Sequence, residues 1–202
     1  IAIEQGEEGL RATGVQMEGG EQVSARNIVS SADPKTTFLT LLGAENLEIE
    51  FTNRIRRIRS EGLVAKLHLA LHDLPKFTGL DQSDGQLLIS PDMATIERSF
   101  DDSKYGQCPT DPVMEIVIPS LHDPSLAPEG QHVLSAQVMY VPYKMKNAWD
   151  SAAKDVFTDR LIDKIALYAP TIREQIVAKE LLTPIDLEQR FRVAGGHWHH
   201  GE

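Results

Sequence analysis

A chain of 202 residues, 41% of them hydrophobic, is long enough to bury one sizeable core. Its 30 acidic and 20 basic side chains leave a formal net charge of −10, which argues against a nucleic-acid backbone or an anionic membrane surface as partner. The single cysteine, Cys108, excludes an internal disulfide framework and suits a reducing, cytoplasmic compartment, and no apolar run approaches the length of a membrane span.

In chain order, residues 12–18 and 21–30 flank the Gly19-Gly20 pair, which predicts a hairpin. Ser30-Ser31-Ala32-Asp33-Pro34 then opens a helix: Asp33 is a suitable N-cap, Pro34 a suitable first residue, and Phe38, Leu39, Leu41 and Leu42 the expected buried stripe. A second helix is expected over residues 47–59, with Ile49, Ile55 and Ile58 inward. The four arginines near its end complement the helix dipole and need no ligand.

The run GLVAKLHLALHD, residues 62–73, is the clearest strand. Leu63, Ala65, Leu67, Leu69 and Leu71 alternate onto one apolar face, which places Lys66, His68 and His72 on the other. Two readings suit that second face. It is the polar side of a half-buried sheet, or it is a cavity wall on which Lys66 and His68 orient a substrate or relay a proton. Residues 86–90, 112–119 and 131–141 read as further strands. Residues 91–105 read as a helix with Met93, Ile96 and Phe100 at helical spacing, and residues 149–168 as the longest helix, carrying Ala153, Val156, Phe157, Leu161, Ile165 and Leu167 near one face. A short helix over residues 171–177 and an extended run over 178–182 lead into the final segment. The ordering predicts an α+β fold: a mixed, largely antiparallel sheet of about four strands covered by helices and preceded by a β-ribbon. No Gly-x-Gly-x-x-Gly follows a strand, so the dinucleotide fingerprint is absent from this stretch.

The segment TPIDLEQRFRVAGGHWHHGE, residues 183–202, has Thr183 as N-cap and Pro184 as first residue of a short helix that stops at Gly195-Gly196. Its three histidines admit a metal site, a loop at a cofactor or substrate, or an exposed, loose end. The spacing disfavours metal, because adjacent side chains diverge. Cys108 has no CxxC partner to make a redox pair.

TPIDLEQRF followed by GGHWHHGE resembles the TP-x-DLE-x-RF and GG-x-x-x-HG pattern of the phytoene-dehydrogenase-like flavoproteins. VSSADPKTTFLTLLG at 29–43, PSLHDPSLAPEGQHVLS at 119–135 and YVPYKMKNAWD at 140–150 are similar in the same order. The resemblance implies a FAD-dependent oxidoreductase acting on a lipophilic substrate, of which this chain is a central-to-C-terminal piece that on its own holds no FAD and turns nothing over. It implies three parts: residues 1–34 as ribbon and return strand, the latter over 27–31, of an incomplete FAD-binding domain, 35–182 as the substrate-side α+β region, and 183–202 as the start of the cofactor-side closing segment. Ser31, Ala32, Asp33, His200 and Gly201 become cofactor-proximal candidates, and Lys66 and His68 substrate-side candidates. The face left open by the missing FAD-binding portion is expected to be apolar and available to a second copy. The competing expectation is a stand-alone binding or dimerisation module descended from such a flavoprotein.

Overall fold

Residues 1–6 and 9–202 are described by a computed structural model. The chain opens with a three-stranded antiparallel ribbon, β1 (Ala2–Gly6), β2 (Gly9–Gln16) and β3 (Gln22–Ser24). The β2–β3 turn forms at the glycine pair as its spacing predicts, with Gly20 donating to the Met17 carbonyl at 2.9 Å. The return strand expected over residues 27–31 does not form: no sheet edge receives it, and Val29 is 94% exposed.

Asp33 starts the next helix, but that helix widens into a π-type coil over Thr36–Leu41 and buries none of its side chains. The expected core stripe of Phe38, Leu39, Leu41 and Leu42 is therefore peripheral. Phe38 instead meets Phe51 edge-on, ring centroids 4.9 Å apart, in a satellite contact with α1 (Ile49–Arg57). Of that helix only Thr52 and Ile55 are buried, while Ile49, expected inward, is 65% exposed because the helix grazes the domain rather than crossing its sheet.

The remainder is one α+β unit. In order it contains β4 (Val64–Leu71), β5 (Leu87–Ile89), α2 (Met93–Lys104), β6 (Met114–Val117), β7 (His132–Met139), α3 (Ser151–Ala166), α4 (Ile172–Gln175), β8 (Ile176–Leu182) and α5 (Pro184–Phe191). The strands form a five-stranded sheet of order β5-β6-β7-β4-β8, and every pairing is antiparallel. β4 pairs with β7 in unbroken register from Val64↔Met139 to Leu71↔His132. The fifth strand is β8, where an extended run over 178–182 was expected; it forms by pairing with the free side of β4, from Lys66↔Leu182 to Leu71↔Ile176.

Period-two alternation sends Ala65, Leu67, Leu69 and Leu71 into one core with Ile116, Leu134, Ala136 and Val138 of the neighbouring strands and Phe157, Leu161, Ile162 and Ile165 of α3. Fully burying each leucine contributes about 2 kcal/mol. Asp150 caps α3 by accepting from the Ala153 N–H at 2.7 Å. Two residues expected on its buried face, Val156 and Leu167, are exposed instead. α2 turns its polar side to the domain. It buries Thr95, Ser99 and Ser103, with Ser99 donating to the Asp111 carbonyl at 2.8 Å, while Met93 and Phe100 are 72% and 40% exposed. Small hydroxyl residues let this helix lie close, and its apolar stripe turns outward, where Phe100 meets Tyr140 at a centroid distance of 5.6 Å.

Leu67→Ala is expected to lower unfolding free energy by about 3 kcal/mol, and Met93→Ala by less than about 0.5 kcal/mol. Urea denaturation of the two variants checks this; similar losses would contradict the described orientation of α2.

Candidate functional site

Three separated parts of the chain meet at the start of β4. α5 begins with a capping box: Thr183 accepts from the Asp186 N–H, and Asp186 accepts in return from the Thr183 N–H at 2.8 Å. The helix leads into Val193–Gly196. Gly195 has φ 64, and a Cβ there would lie 1.8 Å from the Ser60 carbonyl oxygen; at Gly196 the corresponding atom is the Pro184 carbonyl oxygen, also at 1.8 Å. Only glycine permits this approach, through which Gly62 donates to the Gly195 carbonyl at 2.8 Å. On the other side, the Ala194 N–H reaches Asp33 Oδ2 at 3.4 Å, across 161 residues of sequence. Arg59 and Glu202 exchange both backbone hydrogen bonds, each 2.9 Å. A cleft of about 500 Å³ lies among these segments, lined by Lys35, Arg57, Arg59, Ser60, Gly195 and Glu202.

From that cleft β4 runs along the outer face of the sheet. Lys66 sits opposite Gln137 on one side and Leu182 on the other, and His68 sits between Ser135 and Glu180. Glu115 joins the same face opposite Gln137, as does Val117 opposite Ser135 and Leu88 opposite Glu115. Lys66 and His68 are half-buried, Gln137 is buried, and Leu88 and Val117 are exposed. The face is thus neither an ordinary solvated surface nor a core, but a partly desolvated polar row beside open apolar side chains.

No protein-family model matches the chain. It is 36% identical over 203 residues to pyridine nucleotide-disulfide oxidoreductase domain-containing protein 2 of Mus musculus, an alignment covering 95% of this chain and 35% of that protein. Over nearly its whole length the chain thus resembles this oxidoreductase-domain protein. It is also 28% identical over 185 residues to 4,4'-diaponeurosporene oxygenase of Staphylococcus haemolyticus, covering 89% of this chain and 34% of the relative. Prolycopene isomerase, chloroplastic, of Daucus carota is 26% identical over 194 residues, covering 91% and 28% respectively. The chain therefore spans about a third of the length of these relatives.

Within the chain, the candidates fall into different settings. Asp33 is buried; burial alone would raise its pKa, but hydrogen bonds from the Thr36 hydroxyl and N–H, from Ala194 and from Lys35 outweigh that and hold the carboxyl below its ordinary value. Because its Oδ1 takes the Thr36 N–H at 3.0 Å, the helix start is already capped by its own side chain. Ser31 and Ala32 are exposed, and Ala32 borders a second hollow of about 410 Å³ with Ile1, Pro34 and Phe38. Gly201, at φ 116, packs by the Ile58 side chain, and His200 stands beside it with φ 65. The end of the chain is a hydrogen-bonded turn: His197 Nδ1 accepts from the Gly201 N–H at 3.1 Å and from the His199 N–H at 3.3 Å, and Trp198 stacks on His199 at 3.9 Å. Among the described residues no three His, Cys, Asp or Glu side chains are grouped to hold a metal ion.

Burial lowers the pKa of Lys66, opposed by Glu115. Burial also lowers that of His68, reinforced by the Lys66 and Arg190 charges against the pull of Glu180. His72 is diverted to the strand end, where Nε2 meets the Glu174 carbonyl at 3.1 Å. Cys108 lies 3.8 Å from the Met145 sulfur, and burial pushes its thiol up to about 12, out of the reactive range. Three residues of the site were not singled out from sequence. Gln137 and Glu115 were legible in principle from the alternation of their strands, whereas Tyr143, bonded through its hydroxyl to Glu188, carried no local signal.

Gly195→Ala combines a backbone clash with a left-handed φ and is expected to cost about 2 to 4 kcal/mol, read as a lowered unfolding midpoint. His68 is expected to titrate below the ordinary histidine value of about 6.5 in imidazole NMR spectra. As pH falls from about 6.5 through that depressed folded value, the unfolded chain takes a proton that folded His68 resists, so its contribution to stability declines over that window and is full above it. A midpoint at or above the ordinary value would overturn the described desolvation.

Proposed function

We propose that this chain supplies the substrate-side sheet and part of the cofactor-side rim of a cytoplasmic FAD-dependent oxidoreductase acting on a lipophilic substrate. The observation carrying this reading is the continuity of β4: its approach, Glu61 and Leu63, borders the cleft, and its middle carries Lys66 and His68 on the open face of the sheet. A ligand edge in the cleft and a substrate on the sheet would thus be neighbours. The names of the relatives, an oxygenase and an isomerase of carotenoid-type compounds among them, support an extended apolar substrate.

The residues present fit one edge of FAD rather than the whole. Lys35, Arg57 and Arg59 offer cations at the cleft, and the exposed Ser31-Ala32 turn and the His200-Gly201 turn flank it in sequence. The pyrophosphate needs a glycine-rich strand-to-helix turn that this stretch lacks, so the remaining FAD-binding portion is the expected partner. When bound, FAD would accept the electrons of substrate oxidation. The chain's own part is to bind and orient. Leu88 and Val117 provide apolar contact, Lys66 a fixed cation, and His68, kept from protonation by burial and by Lys66, a neutral base able to take a proton from the substrate. The outward stripe of Met93 and Phe100 on α2 gives the alternative reading, a non-catalytic module using that stripe to dimerise, its specific support.

The test is the visible absorption spectrum of the protein made from the whole reading frame containing this chain, purified without added cofactor. A bound-flavin spectrum is expected. A colourless protein that also fails to take up added FAD overturns the reading and leaves the dimerisation module, with a concentration-dependent mass in sedimentation as its sign.

A further inference from the structure

Beneath the cleft, hydrogen bonds close a ring through three distant parts of the chain, at residues 62, 143 and 188–195. Glu188 of α5 accepts from the Gly195 N–H through Oε1 at 2.6 Å and from the Tyr143 hydroxyl through Oε2. The Gly195 carbonyl accepts from the Gly62 N–H at 2.8 Å, and the Gly62 carbonyl accepts from the Tyr143 N–H at 3.1 Å, which returns to the starting residue. Glu188 contributes the only carboxylate of the ring, and both of its oxygens are engaged. Its hydrogen bond is the main cause of a raised Tyr143 pKa, which keeps the phenol a donor throughout the neutral range.

The loop it holds is the part of the site with most freedom to lose. Gly195 and Gly196 are adjacent, both at positive φ, and a glycine pair loses more backbone entropy on ordering than any other. The remaining side-chain tie of that loop is the longer Ala194 to Asp33 contact at 3.4 Å. A charge-assisted bond to the Gly195 N–H is what selects one of the many conformations open to such a pair.

We propose that Glu188 is a positioning residue: it fixes the Gly195-Gly196 loop against the start of β4 and so shapes the cleft assigned above to the flavin edge, an inference that for its ligand rests on the FAD reading. Glu188 borders neither the cleft nor the face bearing Lys66 and His68. Its influence passes through Gly195, which lines the cleft.

Amide hydrogen exchange on this chain tests the loop without any flavin. Glu188→Ala is expected to speed exchange at Gly195 and Gly62 by about tenfold, the loss of roughly one hydrogen bond, while β4 and β7 stay protected. Glu188→Gln is expected to restore protection, because its amide oxygen can accept from Gly195 and its NH₂ can donate to the Tyr143 oxygen. Unchanged exchange in Glu188→Ala overturns the proposal. In the flavin-carrying protein of the whole reading frame, Glu188→Ala is expected to weaken flavin retention about tenfold and Glu188→Gln to recover it. Thr183→Ala removes the cap of the same helix without touching the ring. A loss of flavin in that variant as large as in Glu188→Ala would show a merely structural role and overturn the assignment. If the whole protein takes no flavin at all, the FAD reading fails, and the exchange data still decide whether Glu188 sets the loop.

Discussion

β4 has to satisfy two environments at once, and the rest of the molecule follows from that constraint. Its period-two side chains put Ala65, Leu67, Leu69 and Leu71 into a dry core under α3 and leave Lys66 and His68 on the opposite side. A slip of one residue against β7 would bury a lysine and a histidine and expose a row of leucines, so the register is strongly determined. The same register fixes what stands beside the two polar residues: Gln137 and Ser135 from β7, Leu182 and Glu180 from β8. The chemistry of the open face is therefore a consequence of how the closed face packs.

The end of the chain solves a different problem, which is how to bring backbone against backbone without leaving polar groups unpaired. At Gly62, Gly195 and Gly196 the absence of side chains lets main-chain segments approach closely enough to bond directly, as Gly62 and Gly195 do. Close approach of this kind gives shape at the expense of rigidity, and the surrounding carboxylates supply the restraint: Asp33 from one side, Glu188 from the other. The two acids act from opposite ends of the sequence, Glu188 through the shorter bond at 2.6 Å and Asp33 through the longer one at 3.4 Å.

How much of this could be read from the residues depended on the distance over which the signal acts. The alternation of β4, the Asp33 and Thr183 caps and the glycine turn of the ribbon are local, and each formed where its pattern indicated. The facing of α2 was not legible. Met93, Ile96 and Phe100 define an apolar stripe, but periodicity says only that a stripe exists, not whether it or the Thr95, Ser99 and Ser103 side meets the sheet. The extended run of β8 was legible but its place in the sheet was not, since an edge strand bearing Lys179 and Glu180 gains its definition from β4 rather than from its own residues. At the site, Asp33 was legible as a cap and Gly201 through a family pattern, whereas the Tyr143 to Glu188 bond joins residues 45 positions apart and exists only in the folded chain.

The contact between Asp33 and Ala194 spans 161 residues, and it carries a consequence for the order of events during folding. Sheet pairing of β4 with β7 and the docking of α3 need only the middle of the sequence, whereas the cleft needs its first part, its middle and its last part together. Loop-closure entropy makes such a closure unfavourable until the ends are already held near one another by the finished core. With residues added in sequence, β4 and β7 can pair before Gly195 and Glu202 exist, so within this stretch the cleft closes only after the centre of the sheet has formed.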